Sequence, residues 1–251
     1  MKRNYESNNS TIKNIYKEQR KHQTTSFVQY CIDKYCKFEN KAPFWTLFRY
    51  LTEFTDLSDP DITLTNEQHL YQTAEALRRD DMPEWLVLTG FIHDLGKIIY
   101  KKGSAEDGTS LDTQWAIVGD TFVVDEPIPK CVPYPELNTE RKSSNNPQCG
   151  LDQLICSFGH DEYLYRLLKH NCIDLPESSL YIIRYHSLYP WHSGNAYTIF
   201  ENEKDRSMKP WVQIFQQYDL YSKENTPVDV NEVQPYYKTL IAKYFKKDIE
   251  W

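Results

Sequence analysis

Apolar side chains recur along most of the chain at the spacing of an amphipathic helix, and strand-like alternation is scarce. Phe27, Tyr30, Cys31 and Tyr35 form one such stripe, inside a first helix predicted from Thr11 to Phe38. Pro43 opens a second helix, because the fixed φ and missing N–H of proline are harmless in a first turn. Leu57-Ser58-Asp59-Pro60-Asp61 reads as a turn. A third helix extends from about Glu67 to Arg79, and Pro83 starts a fourth that continues through the apolar run from Leu86 to Lys97. From Gly103 to Gly150 the period dissolves among glycines, prolines and polar residues. That stretch is predicted as long loops with a short ribbon around Trp115–Val124, and loops of such length in a compact domain are usually functional. Regular helices resume at about Leu151–Lys169, Pro176–Ser187, Pro210–Tyr221 and Val230–Phe245, with no internal repeat. The pattern predicts an all-α protein, a single helical domain over residues 1–251 with one long irregular loop region.

Composition narrows the class. A chain of 251 residues can bury one sizeable core, and 40% hydrophobic with 26% charged residues is the balance of a soluble globular protein. A net charge of −7 and a pI near 5.5 argue against nucleic acid and against anionic membrane surfaces as partners. No stretch approaches the roughly 18 apolar residues of a membrane span, and Met1 to Asn14 is too polar for a secretory signal. The six cysteines include no C-x-x-C pair, so they are expected as reduced thiols in a cytoplasmic protein. The 19 tyrosines and 6 tryptophans are expected to fill the core and the crevices around a polar site.

Four of the seven histidines, His69, His93, His160 and His186, lie in segments predicted as amphipathic helices. His93 and Asp94 sit side by side in an otherwise apolar run, where burying them without partners would cost several kcal/mol. A metal ion would answer that cost for both. Taken alone the pair is equally well read as a His–Asp salt bridge in a core, and each histidine alone as a satisfied structural residue. The order His69, His93-Asp94 and a distant Asp219 resembles the ligand pattern of the HD-domain metalloproteins, and implies a di-metal site in the helical core. His69, His93, Asp94 and Asp219 would bind one ion and Asp94, His160 and His186 a second, with Asp94 bridging. Ligands contributed by separate helices are how helical bundles build such sites. Four imidazoles and two carboxylates suit iron, manganese or zinc better than magnesium or calcium. His22, His170 and His192 lack such settings and are expected to be structural or exposed.

A closer resemblance covers nearly the whole chain. His22-Gln23-Thr24, Ser58-Asp59-Pro60-Asp61, the Gln72–Glu75 segment after His69, and His93-Asp94-Leu95-Gly96-Lys97 resemble the myo-inositol oxygenases. So do Gln114–Phe122, Cys149–Asp152, Gly159-His160-Asp161-Glu162-Tyr163, Arg184–His192, Pro210–Val212, Asp219–Tyr221 and Pro235–Tyr237. The resemblance implies an HD-type helical domain holding two iron ions as a mixed-valent Fe(II)/Fe(III) pair. It implies that O2 cleaves the ring of myo-inositol to give D-glucuronate and water, the first step of inositol catabolism, in a protein expected to act as a monomer.

Residue by residue, the resemblance places Arg3, Asp56, Leu57, Ser58, Lys97, Gly119, Asp120, His186 and Ser187 at the substrate, and gives Lys97 and Asp94 the catalytic roles. Lys97 follows Asp94 by three residues, so both project from one helix face, and its ammonium would favour a bound alkoxide. Read without the resemblance, Lys97 is a solvated lysine complementing a helix C-terminus. Leu57 stands where animal members carry an acidic residue, so a backbone contact there would survive and a side-chain contact would not. Lys101–Thr113 looks longer than usual and Asp125–Gln148 shorter. The alternative within the same metal pattern is a phosphohydrolase or phosphodiesterase, which would need more cations near the ligands than Lys97. A third possibility is a binding protein that kept the cage and lost the reaction.

Overall fold

In the computed structural model residues 10–59, 64–221 and 227–251 are described. In chain order these hold α1 (Ser10–His22), α2 (Thr25–Tyr35), β1 (Lys41–Ala42), α3 (Phe44–Tyr50), α4 (Asn66–Arg79) and α5 (Glu84–Ile92). After a 3-10 helix at Leu95–Lys101 and a long irregular stretch come α6 (His160–His170), α7 (Glu177–Tyr185), α8 (Tyr189–His192), α9 (Glu203–Tyr221), α10 (Val230–Tyr244) and β2 (Ile249–Glu250). Among the described residues the protein is all-α apart from one isolated bridge and one two-stranded antiparallel sheet, Lys41 with Glu250 and Ala42 with Ile249, which ties the C-terminal residues to the entry of α3. Among the described residues no helix is long and apolar enough to cross a membrane.

The centre of the fold is α5. Leu86 to Ile92 are all buried, the composition of a helix covered on every side rather than on one face. Phe91 stacks between Phe48 of α3 (centroids 4.7 Å) and Tyr237 of α10 (4.2 Å). Helices α4, α7 and α9 pack around it, and α6 lies along the 3-10 helix. The polar doublet at the end of α5 is therefore delivered into the middle of the protein.

Several boundaries differ from the sequence reading, each for a local reason. The predicted first helix is two helices. Thr24 is extended and its hydroxyl accepts the Phe27 N–H, capping α2. Gln23, at the break, exchanges two hydrogen bonds with the Phe158 backbone (2.7 and 2.9 Å). The fourth predicted helix stops at Ile92 and tightens into the 3-10 helix through Asp94. Helix α6 begins only at His160, because Gly159 is extended and Leu151–Gln153 forms a separate turn. Helix α9 begins seven residues before Pro210, at a reciprocal cap: Asp205 N–H donates to Asn202 Oδ1 and Asn202 N–H to Asp205 Oδ2. The ribbon expected at Trp115–Val124 is a single bridge, Val123 to Cys156. That stretch is nonetheless almost wholly buried, and side chains answer part of its backbone, as where Gln19 Nε2 donates to the carbonyls of Val118 and Asp120.

Candidate metal centre

Three helix ends meet at the centre. His93 is the C-cap of α5 and His186 the C-cap of α7, and each uses its Nδ1–H to cap a carbonyl three residues back, Gly90 (2.9 Å) and Ile183 (3.0 Å). His160 opens α6, and both its backbone N–H and its Nδ1–H donate to the Ile117 carbonyl (3.0 and 2.6 Å). With Nδ1 so engaged, the Nε2 of all three rings points inward as a lone pair. His69 comes from the first turn of α4 and Asp219 from the last turn of α9.

The inward atoms form two groups that share one carboxylate. Asp94 Oδ2 lies 3.9 Å from His69 Nε2 and 3.7 Å from His93 Nε2, and Asp219 Oδ1 lies 2.9 and 3.4 Å from the same nitrogens. Asp94 Oδ1 lies 3.0 Å from His160 Nε2 and 3.7 Å from His186 Nε2. The structure thus brings all six residues expected as metal ligands into one buried cluster, with one Asp94 oxygen facing each histidine pair. Gly96 makes the approach possible: a Cβ there would fall 2.1 Å from the His160 carbonyl oxygen, so a side chain would force α6 away.

The donor set fits metal ions on its own chemistry. Nitrogen lone pairs facing carboxylate oxygens repel unless a cation or added protons stand between them. Without metal, protons must serve. Burial works against a charged His160, but Asp161 and Asp94 beside it raise its pKa from 6.5 to about 10, and His186 is raised by the same carboxylates against its own burial. Burial likewise opposes ionisation of Asp94 and Asp219, yet Lys97, His93 and His160 hold Asp94, and His69 and His93 hold Asp219, well below the usual carboxylate range. Buried groups of three that could hold an ion are His69-His93-Asp94 and Asp94-His160-His186.

The expected substrate residues converge on one cavity, part of it open to solvent. Asp56, Ser58, Lys97, Gly119, Asp120 and Ser187 line it together with the histidines. Lys97 is not the solvated lysine of the alternative reading. It is 3% exposed, and its ammonium donates to Asp94 Oδ2 (2.8 Å), Asp56 Oδ2 (2.9 Å) and Asn66 Oδ1 (2.9 Å). Burial would lower its pKa, but Asp56 and Asp94 raise it, so it stays charged. Asp56 Oδ1 in turn accepts the backbone N–H and hydroxyl of Ser58 (2.9 and 2.7 Å), which fixes the turn. Asp120 accepts the Tyr16 hydroxyl at 3.1 Å.

One expected contact among the described residues, Leu57, does not line the cavity. The Leu57 N–H is spent on Gln114 Oε1 (3.1 Å), and its side chain lines a neighbouring groove against α1. Arg3 lies outside the described residues, as do Pro60 and Asp61 of the turn. Of the other histidines, His22 stacks on Trp115, His170 pairs with Glu250, and His192 is buried with its Nε2–H on the His186 carbonyl (2.8 Å).

Three residues at the centre had no assigned role in the sequence reading. Asn66 shares Lys97. Tyr189 lines the cavity and donates to Asp219 Oδ2 at 3.3 Å. Asp161 Oδ1 lies 2.7 Å from His160 Nε2 and 3.3 Å from His186 Nε2. The signal for Asp161 was present: His160-Asp161 repeats the doublet His93-Asp94.

Fold and site together define an all-helical protein with a paired His/Asp cage able to hold metal. Comparison with known proteins agrees. The family model for myo-inositol oxygenase matches residues 9–251. A probable inositol oxygenase of Oryza sativa subsp. japonica is 39% identical, over 99% of this chain and 84% of its own. Inositol oxygenases of Dictyostelium discoideum and Danio rerio are each 38% identical over 99% of this chain, and over 89% and 92% of theirs. The chain belongs to the myo-inositol oxygenase family.

Proposed function

We propose that the protein is an iron-dependent oxygenase that cleaves the ring of myo-inositol with O2 to give D-glucuronate and water. The observation that carries this reading is the Asp94 carboxylate, one oxygen toward His69 and His93 and the other toward His160 and His186. Family membership supplies the substrate class. His69, His93, Asp94 and Asp219 would hold one iron, and Asp94, His160 and His186 the other. When bound, the Fe(II)/Fe(III) pair supplies redox capacity toward O2 and Lewis acidity toward a substrate hydroxyl.

The chain's own residues do the rest. Asp56 and Asp120 accept hydrogen bonds from ring hydroxyls, and Ser58 and Ser187 donate or accept as the pose requires. Lys97 keeps its proton at Nζ beside Asp94 and, in exchange for its bond to Asn66 Oδ1, donates to a ring-hydroxyl oxygen whose own proton passes to Asp56 or Asp120, favouring the alkoxide. Burial of Lys97 and of the histidines excludes water from that contact, so the charge acts in a low dielectric. A phosphohydrolase reading is not favoured. Among the described residues Lys97 is the one lysine or arginine lining the cavity, and two carboxylates already hold it.

Aerobic incubation of the iron-loaded protein with myo-inositol tests the proposal. One O2 should be consumed per inositol, with uronic acid formed and no turnover under argon. Phosphate release from esters that proceeds equally well without oxygen would reverse the reading.

A further inference from the structure

Asp161 faces the same two nitrogens as Asp94, and nothing in the ligand set above uses it. It is buried, at 3% exposure, and its Oδ1 sits against His160 Nε2 and His186 Nε2 at 2.7 and 3.3 Å. Those nitrogens lie 3.3 Å apart, and His160 Nε2 is 3.0 Å from Asp94 Oδ1. A metal–donor bond of about 2.1 Å places neighbouring donors about 3.0 Å apart in an octahedron and about 3.4 Å apart in a tetrahedron. The 3.3 Å from Asp161 Oδ1 to His186 Nε2 falls in that range and the 2.7 Å to His160 Nε2 is a few tenths of an ångström shorter, so a small outward shift seats this oxygen as a donor to an ion shared with the two imidazoles.

The carboxylate is also tied to the substrate wall. Ser187 Oγ donates to Asp161 Oδ1 and Thr121 Oγ1 to Asp161 Oδ2, each at 3.2 Å. Thr121 follows Asp120 and Ser187 follows His186, and the Thr121 N–H donates to the Ser187 carbonyl at 2.9 Å. One carboxylate thus touches the His160/His186 pair on one side and the two segments expected to bind the polyol on the other.

We infer that Asp161 is a displaceable ligand: it closes the His160/His186 metal position in the resting protein and yields it to a hydroxyl of the substrate. In the exchange the metal–carboxylate bond breaks and a metal–hydroxyl bond forms. The freed carboxylate stays on Thr121 and Ser187, where it accepts a hydrogen bond from the incoming polyol. A substrate able to supply both the replacement oxygen and that hydrogen bond is a vicinal diol, so the device would select for adjacent hydroxyls. Closure in the resting state also keeps other small ligands off the metal.

The inference rests on the iron-pair reading, and the test separates the two. Wild-type and Asp161→Asn proteins are loaded with iron anaerobically, their iron is counted, and myo-inositol binding is measured by calorimetry under argon. The variant should keep two irons per chain and bind inositol more tightly, by roughly tenfold if the closed state dominates, because the competing ligand is gone. Unchanged or weaker binding with both irons present would overturn the exchange. Loss of the His160/His186 iron would overturn it too, by making Asp161 a permanent ligand. If the wild type itself takes up fewer than two irons, the iron-pair reading has failed. Should the variant not fold, the infrared difference spectrum of wild-type protein with and without inositol decides: a carboxylate passing from metal-bound to hydrogen-bonded is expected, and no carboxylate change refutes.

Discussion

Replacing Lys97 by Met removes one ammonium and keeps most of the stem, so the effect should be electrostatic rather than steric. Three acceptors lose a donor at 2.8–2.9 Å, and two of them, Asp94 and Asp56, are buried carboxylates. Removing one partner of a buried ion pair costs about 3–5 kcal/mol, because the charge left behind is uncompensated. For a chain of this size each kcal/mol moves the melting temperature by about 2–4 °C, so metal-free Lys97→Met should melt roughly 10 °C below wild type. With iron bound, the metal answers the Asp94 charge and leaves Asp56 as the main stranded group, so the deficit should shrink to roughly half. Turnover should fall by roughly 10²-fold or more, the range of a lost acid–base or electrostatic contribution. Thermal scans with and without iron, beside steady-state kinetics, give all three quantities. Adding Asp56→Asn to the variant should return part of the lost stability, since the two sites are coupled. A metal-free melting temperature within about 2 °C of wild type, or a near-normal rate, would refute the reasoning.

Asp94→Ala should lose most of both irons on anaerobic loading, because it takes an oxygen from each histidine pair; a variant that keeps a full complement would disprove the bridge. His160→Ala and His186→Ala should each weaken the second ion while circular dichroism stays near normal, and full turnover by either would remove them from the substrate side. Stability of the metal-free protein should depend on pH in a set direction. His160, raised from 6.5 to about 10, contributes fully below about pH 6.5 and progressively less as pH climbs toward 10. Asp94 and Asp219, held below their ordinary 3.8, contribute above about pH 4 and lose that contribution on acidification. Urea titrations should therefore find greatest stability at about pH 4–6.5 with an alkaline decline that iron loading removes, since metal replaces the histidine proton. An alkaline decline of equal size in loaded protein would contradict this.

The helical class, the central apolar helix and the six clustered His and Asp residues were legible because each leaves a periodic or positional mark. A helix hydrophobic all round must be buried, so a doublet at its end had to lie in the core. Less legible were features set by single backbone atoms. Thr24 breaks a continuous apolar stripe through one hydroxyl cap, and Asn202 with Asp205 starts α9 ahead of its apolar period. Both are short cap signatures that periodicity overlooks. The stretch Trp115–Val124 reads as a ribbon because it is apolar and β-branched, yet side chains such as Gln19, rather than a partner strand, answer its carbonyls. Lys97 shows the same limit from the other side: its spacing from Asp94 was visible, but its burial depends on Asp56 and Asn66, which come from elsewhere in the chain.

The charge arrangement bears on which molecule the cavity accepts and which it releases. Five carboxylates, Asp56, Asp59, Asp94, Asp120 and Asp219, line the cavity, against Lys97 as the one lysine or arginine among the described lining residues. An Fe(II)/Fe(III) pair would bring five positive charges, balancing these five carboxylates and leaving Lys97, already held by Asp56 and Asp94, as the one charge over for a further anion. A phosphate ester would bring negative charge to a wall whose single lysine is already held by two carboxylates, whereas a neutral ring hydroxyl donates to Asp56 or Asp120 and takes the one Lys97 donor now on Asn66. The reaction then turns a neutral polyol into an anion inside this wall of carboxylates. Repulsion should favour its departure, so D-glucuronate should inhibit only at concentrations well above those at which myo-inositol saturates the enzyme. The inhibition should strengthen in Asp120→Asn, where one repelling charge on the substrate wall is gone. Product binding as tight as that of the substrate, or no response to Asp120→Asn, would show that charge does not govern release.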